Sequence, residues 1–296
     1  MTTAYLILAH HQPRHSARLI RALDGEDVFF FIHIDRKSNL DDFLDILPFQ
    51  DNVIIVKDPV RVHRFDFSQV KAALMVLEAA SEFGAGFDRY CLLSGSDFPI
   101  KSNAEIRSAL DSKTQFIRID ARAIPQKFHL GYGSPRFPLG ALRGWLRRLL
   151  RALPGRTYKK MPLYRGSQWW ALTDECAAHV LRFVRDNADY VRYMRFTPVA
   201  DETFFHSIVK ASPFSPDISH DFERRGDPRT LLKSPEHGCH YIDWDPSRTV
   251  LPKVLDLEDL GKLARSPALF ARKFQERESS ALLDELERLT GRRPSG

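Results

Sequence analysis

Cysteine is scarce in this chain of 296 residues. Its three cysteines, Cys91, Cys176 and Cys239, are too far apart for a CxxC or zinc-ribbon pattern. An odd number fits a reducing compartment better than a disulfide framework. Long apolar runs are missing too: nothing approaches the ~18 apolar residues that a membrane-spanning helix needs. The run Tyr5-Leu6-Ile7-Leu8-Ala9 is short and lacks a basic flank or cleavage site, so it reads as neither signal peptide nor anchor. A cytoplasmic chain, at most peripheral to a membrane, is the expectation. Glycine-rich phosphate loops are also absent. There is no G-x-x-x-x-G-K-[ST], and no G-x-G-x-x-G follows the first apolar run, which argues against ATPase and dehydrogenase layouts. Charge of one sign is barely in excess: 44 Lys plus Arg against 38 Asp plus Glu leaves +6. That balance does not make a nucleic-acid-binding field. Internal repeats and low-complexity linkers are missing as well.

What is present is a 43% hydrophobic chain with 21 phenylalanines, most of them expected in the core. Its length suits one large α/β unit or two smaller domains. Residues 5–9, 28–34, 52–56, 89–93 and 114–119 read as strands, and residues 16–23, 68–83 and 104–110 as helices. Val28-Phe29-Phe30-Phe31-Ile32-His33-Ile34 is apolar on both faces, as a central parallel strand is. The alternation predicts a Rossmann-like α/β fold with a mostly parallel central sheet. After residue 121 the character changes. Residues 136–160 hold eight basic residues and no acid. Within them, 139–153 has a Leu/Trp stripe opposite Arg143, Arg147 and Arg151, which suits a solvated face, a lid or a helix on an anionic membrane. Further on, 168–172 and 241–244 read as strands. Residues 174–187, 202–210, 257–263 and 267–275 read as helical, and 279–289 as an amphipathic helix before a disordered tail.

Polar residues cluster where the predicted parallel strands end. They are His10 and His11, then His33 and Asp35, then Ser94, Ser96 and Asp97. In an open α/β sheet the crevice beyond the strands' carboxyl ends binds ligands. Asp35 could accept from a ribose or base, and Gly95 permits close backbone approach; the plainer reading is a set of ordinary turns. Without a glycine loop, phosphates would be neutralised from elsewhere. Asp201-Glu202 opens an apolar helical segment, so Asp201 is either a helix cap or, with Glu202, part of the crevice, where Glu202 could act as a general base. In Leu269-Phe270-Ala271-Arg272-Lys273-Phe274 the apolar residues are spaced for burial. That could fix Arg272 or Lys273 as a rigid cation, with Arg248 and Lys253 as further candidates. Gln168-Trp169-Trp170 mixes amide and aromatic faces suited to a sugar, with one Trp expected inward and one outward. Asp243-Trp244-Asp245 is formally a D-x-D, a weak divalent-cation pattern. His237, Cys239 and His240 make no convincing metal-ligand set.

Taken in order, these pieces resemble the Core-2/I-branching β-1,6-N-acetylglucosaminyltransferase family, which includes peptide O-xylosyltransferases. The pieces are Tyr5-Leu6-Ile7-Leu8-Ala9-His10, His33-Ile34-Asp35-Arg36-Lys37 and Leu93-Ser94-Gly95-Ser96-Asp97-Phe98-Pro99-Ile100. Gly166-Ser167-Gln168-Trp169-Trp170-Ala171-Leu172-Thr173, Asp201-Glu202-Thr203-Phe204-Phe205, Tyr241-Ile242-Asp243-Trp244 and Phe270-Ala271-Arg272-Lys273-Phe274 follow. The resemblance implies a GT-A fold and inverting transfer from a UDP-sugar, most simply UDP-GlcNAc, with no metal cofactor required. The acceptor would be a hydroxyl of a glycan or lipid-linked saccharide. It implies one catalytic domain over 1–278, divided into a nucleotide-binding half (1–121) and an acceptor-side half (122–278), with 279–296 as a terminal helix and tail. Glu202 would be the catalytic base and Lys273 the diphosphate-stabilising lysine, with a partnering basic residue upstream in the region of Arg248 to Lys253. His10 and Asp35 would line the donor site. Ser96, Asp97, Gln168, Trp169, Trp170 and Asp201 would face the sugars. One departure stands out: the family's Trp-Gly pair before the serine is replaced by Phe65-Asp66-Phe67-Ser68. The animal relatives' membrane anchor and disulfides have no counterpart in this reading, which favours a bacterial-type enzyme touching the inner membrane face through 139–153. Alternatives are a UDP-xylose donor, a metal-dependent transferase using Asp243 and Asp245, and a noncatalytic nucleotide- or glycan-binding module.

Overall fold

Three apolar runs within the first sixty residues fold side by side. The computed structural model describes residues 1–48, 50–126, 148–149, 152–226, 234–244 and 251–292. Strand β1 (Thr3–Ala9) is followed by helix α1 (Pro13–Leu23), β2 (Val28–Ile34), the short α2 (Leu40–Leu44), β3 (Val53–Ile55), α3 (Ser68–Glu82) and β4 (Arg89–Ser94). These four strands are parallel, in the order β3-β2-β1-β4. The strands are apolar throughout because both faces are covered. In β1, Tyr5, Ile7 and Ala9 enter one core with α1, while Ala4 and Leu6 enter the other with α3. Helix α1 begins with proline at its first turn, where no backbone N–H is missed, and stops at Asp24, which is extended.

The chain continues through β5 (Asp97–Pro99), α4 (Asn103–Leu110), β6 (Gln115–Arg122), β7 (Tyr164–Gly166), β8 (Ala171–Thr173), α5 (Asp174–Asp186), α6 (Ala188–Met194), α7 (Phe204–Lys210), β9 (Ile218–Asp221) and α8 (Phe222–Arg225). The strand at 115–122 was expected beside β4 and parallel to it. Instead β8 lies between them, antiparallel to both, so β6 runs in the direction of β4 without pairing to it and pairs in parallel with β9. A three-residue strand carries too little periodic signal to be placed by sequence. Close approach of β7 to β6 requires Gly166: a Cβ there would lie 1.6 Å from the Arg118 carbonyl oxygen.

A second sheet, ordered β10 (Glu236–His237), β11 (His240–Ile242), β12 (Phe270–Arg272) and β5, crosses the carboxyl end of β4. Residues 267–275 were expected to be helical, but β12 is a strand. Its Phe270 and Ala271 are fully buried, and a short run buried on both sides has no period to distinguish strand from helix. Helix α9 (Leu260–Arg265) precedes it, and α10 (Ser280–Leu289) closes the chain. Leu282, Leu283 and Leu286 of α10 join the same core as β1 and α1, each contributing roughly 1.5–3 kcal/mol by burial. Glu287 fixes the helix to Arg18 at 2.7 Å. The expected disordered tail is docked as far as Arg292, which donates to the carbonyls of Ala22 and Lys101, each at 2.7 Å. Most of the basic segment 139–153, including Arg143, Arg147 and Arg151, lies outside the described residues. Among the described residues, no helix is long and apolar enough to cross a membrane.

Candidate active site at the strand ends

Asp97 sits where the two sheets meet. Strand β4 ends at Ser94, and the turn through Gly95 is tight: a Cβ there would come 2.9 Å from Ser16 Oγ. The fully buried Asp97 carboxylate accepts from the Ser94 N–H (2.7 Å), His240 Nε2 (3.1 Å) and an Arg272 guanidinium nitrogen (3.1 Å). Antiparallel pairing of β12 with β5 puts Arg272 opposite Asp97. The guanidinium also lies over the Trp169 ring, 4.2 Å from its centroid. Anion and ring together hold a cation that burial alone would expel.

Lys273 follows directly. Its carbonyl accepts from Leu255 N–H at 3.0 Å, and the next N–H, of buried Phe274, donates to the Ser96 carbonyl at 2.9 Å. The backbone around Lys273 is thereby fixed. Burial, Arg272 and Arg64 all push its ammonium pKa down. A cation facing other cations is stabilised by an incoming anion. At the end of β1, His10 and His11 stack with centroids 4.0 Å apart. Burial, with His11 adding to it, takes His10 down to about 4, while burial and Lys273 depress His11. Both shifts favour the neutral imidazole. Asp35 is buried, accepts from the Lys37 N–H (2.9 Å) and Val62 N–H (3.3 Å), and pairs with Lys37 Nζ at 3.4 Å. It organises the loop after β3, as does His33, whose Nε2 accepts from Val60 N–H.

Glu202 comes from the other half of the chain. The expected helix cap at Asp201-Glu202 is instead a 3-10 turn, Ala200–Glu202, with no side-chain cap, entered through Val199 at φ +51°. Helix α7 fixes this turn: its residues 204–209 are all buried, and Ser207 Oγ donates to the Thr203 carbonyl at 2.8 Å. The Glu202 carboxylate is partly open to solvent and 3.2 Å from an Arg165 guanidinium nitrogen on β7. Burial raises its pKa, Arg165 opposes that, and Asp120 adds to it. Asp201 points inward. Gln69 Nε2 donates to its Oδ2 at 2.9 Å, its buried Oδ1 has no partner, and burial with Glu202 beside it pushes the carboxyl up to about 7.

Two sets of residues lie between Glu202 and the Arg272–Lys273 corner, each joined partly by hydrogen bonds and partly only by longer-range charge. One runs through Asp201 and Gln69, which accepts from the Phe65 N–H, to neighbouring Arg64, whose charge reaches Lys273. The other passes from Asp120 to Arg118 (2.6 Å), on to His237 Nε2 (3.4 Å), and so to Arg272, which depresses His237. The connecting residues Arg64, Gln69, Arg118 and Arg165 were not singled out by sequence. For Arg165 the signal was its place beside the obligatory Gly166.

Other expected site residues sit elsewhere or serve differently. Both tryptophans of the pair point inward. Trp170 is fully buried against Phe205, which places it in the core rather than at a sugar. Trp169 is buried except at its edge and carries Arg272. Gln168 is half-buried, and buried Ser96 braces Phe274. Lys253 is no spare cation: its ammonium is buried 2.6 Å from Asp259 and 3.4 Å from Asp256, capping the turn before α9. Asp243 lies 3.9 Å from Lys262, while Asp245 and Arg248 are outside the described residues. Among the described residues, no group of three or more His, Cys, Asp or Glu is arranged to hold a metal.

Known proteins resemble this chain along its length. Rat xylosyltransferase 2 is 24% identical over 311 aligned residues, covering 99% of this chain and 34% of that protein. The bovine β-1,3-galactosyl-O-glycosyl-glycoprotein β-1,6-N-acetylglucosaminyltransferase is 34% identical over 106 residues, 35% of this chain and 25% of that one. The chain thus spans about a third of the length of the xylosyltransferases it matches. Among solved structures, mouse xyloside xylosyltransferase 1 in its apo form aligns over 77% of this chain and 92% of that one at 13% identity, with a TM-score of 0.30, too low to bear on the fold. The Core-2/I-Branching enzyme family matches from residue 3 to residue 264, nearly the whole chain, and the chain belongs to that family.

Proposed function

We propose that this chain is an inverting glycosyltransferase of GT-A type, moving a sugar from a UDP-sugar to a hydroxyl of a glycan or lipid-linked saccharide. Its relatives are named xylosyl- and N-acetylglucosaminyltransferases, and GlcNAc is the donor sugar we favour. The observation that carries the reading is Glu202, a half-open carboxylate on a turn held by a buried helix and 3.2 Å from the Arg165 guanidinium, with burial raising its pKa. A raised carboxyl is the better general base near neutral pH. In this mechanism Glu202 takes the acceptor hydroxyl's proton as the oxygen attacks the anomeric carbon. The bond to the departing diphosphate breaks on the opposite side, so the configuration inverts. Lys273 and Arg272 stabilise the charge gathering on the leaving group, the task a divalent cation would otherwise perform. Three buried, unpaired thiols accord with work in a reducing cytoplasm.

The test is product analysis. The protein is incubated with UDP-GlcNAc or UDP-xylose and a panel of saccharide acceptors, and the anomeric configuration of the product is read by NMR. A β-linked product is expected. A retained α linkage would overturn inversion, and UDP binding with neither transfer nor donor hydrolysis would identify a noncatalytic module.

A further inference from the structure

Beyond Arg165, the partner of Glu202, strands β6 and β7 run on into a cavity of about 270 Å³, lined by 122–125, 156–163 and Tyr193. Four cations line it, Arg122, Arg156, Lys159 and Lys160, and no lining residue is acidic. Its wall is built rather than draped. Gln126 and Arg156 exchange backbone hydrogen bonds of 2.8 and 2.7 Å, tying the two lining segments together. Arg156 lies over the Tyr193 ring at 4.6 Å and donates to the Phe196 carbonyl at 2.8 Å, while the Tyr193 hydroxyl returns a bond to the Arg156 carbonyl at 2.9 Å. At the surface beside it, Asp189 holds the exposed Lys160 at 3.0 Å and the Tyr158 hydroxyl at 2.8 Å. Arg122 and Lys159 stay exposed at the rim.

The position matters as much as the charge. Arg122 is two residues beyond Asp120 on β6, and Leu163 two residues before Arg165 at the start of β7. At ~3.3 Å per residue the cavity begins about 7 Å along the strand from Arg165, which the Glu202 carboxylate contacts. In the sheet, β6 and β7 are separated from β1, which ends at His10 and His11, by β4 and β8. We propose that the cavity binds an anionic group of the acceptor, so that the substrate class is a saccharide bearing a phosphate, sulfate or carboxylate near the hydroxyl presented to Glu202. Concave walls lined by one sign of charge concentrate the field, and tyrosine rings beside guanidinium suit a sugar carrying an anion. The substrate assignment rests on the transferase reading above; anion binding by the cavity does not.

Isothermal titration of the full chain with glucose, glucose 6-phosphate, glucose 6-sulfate, glucuronate and inorganic phosphate separates the cases. At 0.15 M salt at least one charged sugar is expected to bind at least ten-fold tighter than both glucose and inorganic phosphate, and which one identifies the anion. Arg122→Gln with Lys159→Gln should abolish that preference. Both side chains are exposed, so the melting temperature should hold. Arg182→Gln with Arg185→Gln, exposed cations on α5, should keep the preference. Equal binding of charged and neutral sugars, equal binding of inorganic phosphate, persistence in the first variant or loss in the second would each overturn the proposal. Donor hydrolysis by the wild type is measured in parallel. If hydrolysis and transfer are absent while the preference is intact, the transferase reading fails and the anion site stands.

Discussion

Gln69 and Asp201, 132 residues apart, are joined by a 2.9 Å hydrogen bond from amide to carboxylate. The same amide accepts from the Phe65 N–H at 2.9 Å, and the Phe65 carbonyl accepts from Val199 N–H at 3.4 Å. Phe65 and Val199 both adopt positive φ, +62° and +51°, which L-residues with bulky or branched side chains avoid. One side chain therefore ties together two unusual backbone turns: the loop carrying Arg64 and the turn carrying Glu202. Gln69→Leu should cost about 1–3 kcal/mol, because it strips the buried Asp201 carboxylate of a hydrogen bond. Thermal melts would show this, and kcat should fall further than the stability loss accounts for.

Asp201 also sets a pH dependence. Its carboxyl is pushed up to about 7 in the fold, above the ordinary aspartate value it has unfolded. The native state then holds the proton more tightly, so this group's contribution is present at low pH and is lost as pH rises from about 4 through 7. Asp201→Asn, which cannot ionise, should be flatter across that window and gain on the wild type as pH rises. Urea titrations at pH 5 and pH 8 would show the gap widening at the higher pH.

Arg165 opposes the rise in the Glu202 pKa. The acid limb of kcat/KM should lie above the ordinary glutamate range, and Arg165→Gln should move it to still higher pH, since the opposing charge is removed. An unmoved limb would detach the pair from the reaction.

Arg272 and Lys273 should separate fold from chemistry. Arg272→Ala strips a fully buried carboxylate of its cation and should cost about 3 kcal/mol of stability as well as activity. Lys273→Ala should melt close to the wild type and lose roughly 10²–10³-fold in kcat. Chemical denaturation and steady-state kinetics on both variants provide the comparison.

Gly166 is a structural limit. An added Cβ meets a backbone oxygen that cannot swing aside, so Gly166→Ala should lose more than about 3 kcal/mol and fail to accumulate as folded protein.

Strands β1, β2 and β4 and helix α3 were legible in the sequence because each is a long apolar run or periodic face, and burial on both sides leaves little ambiguity. Strands β5 and β12 were not read as strands, and β8 was read as 168–172 with no place in the sheet: their three residues each are held by partners distant in sequence, as Arg272 is by Asp97. The residue types at the site were legible, since Asp97, Glu202 and Lys273 stand out as charges among apolar neighbours. Their partners were less so. Lys253 looks like a free cation until the fold brings Asp259 to it. Trp170 looks like a sugar platform until Phe205 covers it. Gln69 looks like an ordinary helix residue until the turn at Asp201 arrives.

The central claim is that the Glu202 carboxylate accepts the proton of the attacking hydroxyl. Glu202→Gln keeps the shape and removes the basicity, so UDP affinity measured by titration should stay within a few-fold of the wild type while sugar transfer falls by about 10²–10⁴-fold. Transfer by that variant at close to the wild-type rate would contradict the account.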